Sequence, residues 1–158
     1  MAYRIRPFRP EDAVVLAEIF RSAINRIGPQ SYSEKQVAAW VARAPEAAAF
    51  VARMRARDMI MVAAGADDRA IAYAILERDG HLDHLYCHPA HTRRGIADAL
   101  LAEAEQRARE IGVSRLYSEA SEMARPAFAR AGYRVTHRRD FEVDGVAIHN
   151  FAMEKLLA

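Results

Sequence analysis

The stretch His84-Leu85-Tyr86-Cys87-His88-Pro89-Ala90-His91-Thr92-Arg93-Arg94-Gly95-Ile96-Ala97-Asp98-Ala99-Leu100-Leu101 decides the fold. An apolar strand runs through a short basic loop into an amphipathic helix, with a glycine at the turn. Ala97, Leu100, Leu101, Ala104, Ala108 and Ile111 share one helical face, and charges fill the other. Such a junction is a solvated turn or an anion site. Unpaired N–H groups at the helix start point at the ligand, and the helix dipole favours negative charge. Gly95 lets a phosphate approach without a Cβ in the way. Arg93 and Arg94 add charge-assisted contacts. The loop matches neither GxGxxG nor GxxxxGK[ST], so it is not a dinucleotide fingerprint or a P-loop.

Working back from this segment, Asp79-Gly80 is a hairpin turn, and His81 to His88 is the strand that follows it. Ala70 to Leu76 and Met59 to Ala64 are two earlier strands. A short helix covers Ala47 to Arg57. Ser33 and Gln36 form a capping box that opens a helix through Trp40. Leu16, Ile19, Phe20, Ala23, Ile24 and Ile27 form a helical stripe opened by Pro10 and stopped by Gly28-Pro29. Tyr3, Ile5 and Phe8 alternate with arginines as a first strand. Working forward, Gly112 stops the central helix and Val113 to Ser118 is a strand. A helix runs from Ser121 to Ala131, and Tyr133 to Val143 pairs with Val146 to Met153 across Asp144-Gly145. The order predicts a mixed α/β (α+β) sheet with helices on both faces.

The bulk properties exclude several classes. The chain has 158 residues and no Gly/Ser- or Pro-rich divider, so one domain over 1–158 is expected. A formal charge of +2 gives no general case for nucleic acid. The arginines Arg4, Arg6, Arg9 and those from Arg43 to Arg57 have acidic neighbours and no interleaved aromatics, so they read as a solvated face. No apolar run approaches the ~18 residues of a membrane helix, and the start lacks the apolar core of a signal peptide. The single cysteine, Cys87, excludes an internal disulfide and fits a reducing cytoplasm.

Leu85-Tyr86-Cys87-His88-Pro89 followed by Thr92-Arg93-Arg94-Gly95-Ile96-Ala97 resembles motif A of the GCN5-related N-acetyltransferases, the GNAT superfamily. That motif is a Leu-Tyr-Val-x-Pro strand and then [Gln/Arg]-x-x-Gly-x-[Gly/Ala]; Thr92 departs from its Gln or Arg. Tyr117 to Tyr133 resembles motif B, with Ser121 where Asn is usual and Phe128 where many members have Tyr. The resemblance spans the chain. It implies a mostly antiparallel sheet with splayed fourth and fifth strands. It also implies an acetyl-CoA-dependent N-acetyltransferase acting on a primary amine of a small molecule or protein, by direct attack in a ternary complex. Carried over by position, Arg93, Arg94, Gly95, Ile96, Ala97 and Asp98 line the CoA pyrophosphate. Leu85, Tyr86 and Cys87 offer backbone groups to the pantetheine, and Ser121 and Phe128 line the same ligand. Tyr32, in the Asn25–Ser33 loop, is a contact for the acceptor, with His149 and Asn150 of the closing hairpin as further candidates, while Trp40 reads as core.

Transfer to an amine needs a neutral nucleophile, a donor for the oxyanion and a departing thiolate. Strict alternation puts His81, Asp83, Leu85 and Cys87 on one strand face. The resemblance, in which the base is often on the fourth strand, implies His81 and Asp83 as the base candidates. His84 points to the other face. Phe128 cannot donate a proton, so the thiolate leaves unaided, water protonates it, or another group such as Tyr117 substitutes, although Tyr117 reads as a packed strand residue. A non-catalytic acyl-CoA-binding sensor of the same fold is the alternative. No metal is expected, because alternation splits the histidines and no CxxC or HExxH pattern occurs. Cys87 beside apolar neighbours reads as inert. The expected partners are acetyl-CoA and an amine, with neither nucleic acid nor membrane; the sequence leaves a homodimer open.

Overall fold

Alternation at the start produces β1 (Arg4–Pro7) in the computed structural model, which describes residues 2–158. A 3-10 turn at Pro10–Asp12 leads into α1 (Ala13–Ile27), whose buried face is the expected stripe from Leu16 to Ile24. The capping box forms in both directions: Gln36 N–H donates to Ser33 Oγ at 3.2 Å and Ser33 N–H to Gln36 Oε1 at 2.8 Å. It opens α2 (Glu34–Val41). Then come α3 (Ala47–Arg55), β2 (Met59–Ala64), β3 (Ala70–Leu76) and β4 (Leu82–Cys87). The remaining elements are α4 (Ile96–Glu110), β5 (Arg115–Ala120), α5 (Arg125–Arg130), β6 (Arg134–Val143) and β7 (Val146–Leu156). The helix expected over Ser121 to Ala131 is shorter. Ser121 Oγ accepts from the Ala124 N–H at 3.1 Å and closes a turn. The helix proper starts at Arg125 with Pro126 in its first turn, where a missing N–H is harmless.

The strands form two antiparallel sheets, β1-β2-β3-β4 and β5-β7-β6. One face of the first is covered by α4, where Leu100, Leu101 and Ala104 pack with Leu76 and Leu82. Each such leucine contributes about 2 kcal/mol by leaving water. The other face is covered by α1 and α3, where Leu16, Ile19 and Phe50 meet Tyr73 and Ile75.

The two sheets are hydrogen-bonded to each other around the start of β4. His81 bridges Tyr117 in parallel. Tyr117 N–H donates to Gly80 C=O at 3.0 Å, and Ser118 Oγ donates to Leu82 C=O at 2.7 Å. Gly80 is fixed by this approach: its φ is +104° and a Cβ there would lie 2.1 Å from the Arg115 carbonyl oxygen. Past Leu82 the fourth and fifth strands splay apart, as expected, leaving an open edge on β4.

Two local readings change. Ile75 pairs with His84 but Leu76 pairs with Leu82, so Asp83 is the extra residue of a β-bulge. Leu82 and Leu85, three apart, therefore both face the α4 core. Strict alternation through His81, Asp83 and Leu85 is broken. The second change is Arg6, which is no part of a solvated face. It is 8% exposed and grips Asp12, 7% exposed, through two hydrogen bonds of 2.8 and 2.9 Å. Its Nε also donates to Asp68 at 2.9 Å.

Candidate active site

The splay opens two cavities that meet at β4. The larger, about 540 Å³, runs from the open edge to the start of α4. Leu85, Tyr86, Cys87, Arg93, Gly95, Ile96, Ala97, Asp98 and Ser121 all line it. Arg93 and Gly95 both adopt positive φ, 63° and 76°, which turns the loop into the helix. No side chain caps the first turn of α4, so its N–H groups face this space. A Cβ on Gly95 would meet nothing within 4 Å. Asp98, in that turn, is held by Arg130 at 3.1 Å. Arg94 does not line the cavity; its Nη1 lies 3.1 Å from His91 Nδ1.

The backbone of β4 alternates in its use. His88 N–H bonds Ile71 C=O at 2.9 Å, so Tyr86 and His84 also turn their backbone groups toward β3. Leu85 and Cys87 turn theirs into the splay. Tyr86 thus offers its ring rather than its amide, packed on Phe20 at 4.7 Å. Burial pushes the Cys87 thiol up to about 11, which leaves it a protonated, weakly reactive thiol.

The smaller cavity, about 320 Å³, lies between β4, β5, α2 and the β6–β7 hairpin. Asp83, Glu119, Tyr32, Phe128, Arg139 and His149 line it. Trp40, expected in the core, is half-buried and borders both cavities. Tyr32 ties the walls together: its hydroxyl donates to His149 C=O at 3.0 Å and accepts from Glu122 N–H at 3.0 Å. Phe128 lines this smaller cavity, not the larger one. It is 2% exposed and packs edge-on against Tyr133.

Electrostatics separate the two base candidates. Burial would raise the Asp83 carboxyl, but Arg53, at 2.5 Å, outweighs it and holds it below its ordinary value. His81 lines neither cavity. It bonds Glu119 at 2.8 Å and Glu77 on its other nitrogen, and stacks on Tyr117. The Glu119 bond, helped by Glu77 against burial, raises its pKa to about 9, so it is an imidazolium at neutral pH. That pairing stabilises the fold fully below the ordinary imidazole value of ~6.5 and is lost as pH rises through about 9. His84 is buried among Phe20, Phe50, Tyr73 and Tyr86, and desolvation pushes it well down. Tyr117 donates to Asp79 at 2.5 Å outside both cavities, which removes it as a donor to the groove. His81, Asp83 and Glu119 bring one atom each within 4.8 Å of one another, but Glu77, Glu119 and Arg53 already occupy the donor atoms of His81 and Asp83.

Two cavity residues, Glu119 and Arg139, escaped the residue-by-residue reading, whereas His149 was expected as a contact from the closing hairpin. Glu119 belongs to β5, whose pairing with His81 is a tertiary event. Arg139 is in step with Phe141 and Val143 along β6, and this period-two phase is the signal that marks its inward face. His149 donates or accepts through Nε2 to Glu122 at 2.8 Å, and among the described residues its Nδ1 has no partner.

A strand edge opened by splaying, a helix N-terminus at one end and a carboxylate-floored cavity at the other define a group-transfer enzyme of the GCN5-related class. The chain matches the acetyltransferase (GNAT) domain family over residues 29–155 and belongs to that family. It is an N-acetyltransferase by this membership. It is 31% identical over 151 residues to the uncharacterized N-acetyltransferase YafP of Escherichia coli K12, covering 95% of this chain and 93% of that one. A GCN5-related N-acetyltransferase structure from Rhodopseudomonas palustris superposes with a TM-score of 0.89 at 32% identity, covering 99% and 97%. The PaiA N-acetyltransferase of Thermoplasma acidophilum, in complex with coenzyme A, shares the fold at 22% identity, TM-score 0.78 and 99% coverage of both chains.

Phe128 sets a test of thiolate departure. Phe128→Tyr is expected to stay folded, with the added hydroxyl taken up by the cavity that Phe128 lines. With a donor added there, kcat should rise by up to about tenfold, or ~1.4 kcal/mol. An unchanged kcat in steady-state assays places the slow step at amine attack. A lost thermal transition means the hydroxyl was driven into the core instead.

Proposed function

We propose that the protein transfers the acetyl group of acetyl-CoA to a primary amine within a ternary complex, as one domain. The observation that carries this is the meeting of the two cavities at Leu85, Tyr86 and Ser121. The larger cavity takes the cofactor. Its pyrophosphate sits on the first-turn amides of Ile96, Ala97 and Asp98 beside Arg93 and Gly95, with Arg94 adding charge. Its pantetheine amides pair with the backbone of Leu85 and Cys87 like an added strand, flanked by Ser121. The coenzyme A complex of the Thermoplasma relative supports this assignment.

The smaller cavity takes the amine. An ammonium enters against Asp83 and Glu119 and gives a proton to Asp83, directly or through water. The neutral nitrogen attacks the thioester carbonyl, the C–S bond breaks, and the second nitrogen proton ends on the thiolate. A thiol of pKa ~8.5 leaves without a dedicated acid, which fits Phe128 beside the site. His81 acts as a fixed positive charge that orients Glu119. A second reading has one observation in its favour: Glu122 fixes His149 so that Nδ1 is available in the same cavity, and His149 then takes the proton.

Acetyl-CoA at 100 times its Kd should stabilise the protein by about 2.7 kcal/mol in a thermal melt. Gly95→Glu should abolish that shift, because the side chain and its charge fill the phosphate site. The melting temperature of ligand-free Gly95→Glu separates backbone strain from lost binding. No shift for the wild type at millimolar acetyl-CoA would sink the cofactor assignment. Binding without release of CoA thiol to any amine would instead make the chain a sensor.

A further inference from the structure

Arg139 is a half-buried guanidinium in the wall of the smaller cavity. Its Nη1 donates to Asn150 Oδ1 at 2.9 Å, and its charge lies over the Phe141 ring at 5.1 Å. Among the described residues it has no carboxylate within ion-pair distance. Its neighbours on the hairpin do: Arg138 pairs with Asp140 at 3.0 Å and Arg134 with Glu154 at 2.9 Å. Asn150 and Phe141 orient the guanidinium fork without neutralising it. A partly desolvated cation held this way is built to meet an anion.

The same cavity also carries negative charge, on Asp83 and Glu119. Together with Asp58 and Glu77, which do not line it, these carboxylates share the cations Arg53 and His81. The roof is fastened as well. Gln36 Nε2 donates to Ala147 C=O at 3.0 Å, Tyr32 holds His149 C=O, and Arg43 pairs with Asp144. A space of about 320 Å³ under a tied hairpin suits a small molecule better than a polypeptide laid across it.

We infer that the acceptor is a small ampholyte, a primary amine carrying an oxyanion, with its ammonium on Asp83 and Glu119 and its oxyanion on Arg139. This rests on the smaller cavity being the acceptor site. The oxyanion is a carboxylate or a phosphate, since both match a guanidinium fork.

Matched pairs test it, with CoA thiol release as the readout: α-amino acids against the amines left by their decarboxylation, and aminoethyl phosphate against ethanolamine. At least one ampholyte should exceed its partner by about 10- to 100-fold in kcat/KM, the worth of a charge-assisted contact. Which pair shows the preference tells carboxylate from phosphate. Arg139→Gln should bring the two members together by raising KM for the ampholyte, and Arg139→Lys should keep part of the gap. Equal use of both members by the wild type overturns the inference and leaves the transferase reading standing. So does a preference that survives Arg139→Gln. Transfer to no amine at all, with acetyl-CoA bound, overturns the transferase reading on which the inference rests.

Discussion

Asp12→Ala is expected to cost the fold about 3–5 kcal/mol, measured as a lower midpoint in urea at neutral pH. The carboxylate meets Arg6 through two parallel bonds of 2.8 and 2.9 Å and also accepts the Arg9 N–H at 2.8 Å. Its removal leaves a buried guanidinium with Asp68 on one edge and an amide without its acceptor. Most of the loss is the penalty of that stranded charge, not the attraction of the pair. The double variant Arg6→Met/Asp12→Leu should therefore recover much of the stability. The pH dependence has a definite sign. Burial alone would raise the Asp12 carboxyl, but Arg6 and the Arg9 amide hold it below its ordinary value of about 4. The stabilisation is present above that value and is lost as pH falls through the lower folded one. The gap between wild type and Asp12→Ala should thus narrow in acid. A gap that stays constant from pH 7 to pH 2 would contradict the pairing.

Asp83→Asn is expected to lower kcat by about 10²–10⁴ while acetyl-CoA affinity holds. Arg53 keeps Asp58 at 2.8 Å and Glu77 at 3.4 Å, so the substitution does not strand a cation. The pH–rate profile distinguishes the alternatives. If neutral His81 were the base, kcat/KM would climb with an inflection near 9 that disappears in His81→Gln, because only above about 9 does that ring lose its proton. If His149 takes the proton, His149→Gln carries the large loss in kcat, and Asp83→Asn raises only KM for the amine. If both variants keep full kcat, the amine arrives neutral and neither group belongs to the chemistry.

The element order and the loop that lines the larger cavity were legible in the sequence for a local reason. Helical stripes, the Ser33–Gln36 box and Gly95 at a strand-to-helix turn are all decided within a few residues of themselves. The loop Arg93–Asp98 needs only its own backbone and the start of α4, so its residues, Arg94 excepted, line one cavity together. The smaller cavity was legible only in part, at Tyr32, Asp83 and His149, because it is made by elements distant in the chain. Arg139, Phe141 and His149 reach it from a hairpin more than fifty residues past Asp83, and the hairpin's place is set by bonds to Tyr32 and Gln36. Charge states were equally a tertiary matter. Alternation treated His81 and Asp83 as equivalent, until the bulge at Asp83 and the approach of Glu119 across the splay made one a fixed cation and the other a cavity carboxylate. Arg6 looked solvated because a sequence displays its charge and not its neighbours, and only folding brings Asp12 and Asp68 around it. By itself the sequence determined the strand-to-helix turn with its unpaired backbone amides; the tertiary structure decided which side chains share the smaller cavity, since burial and pairing exist only once strands far apart in the chain have met.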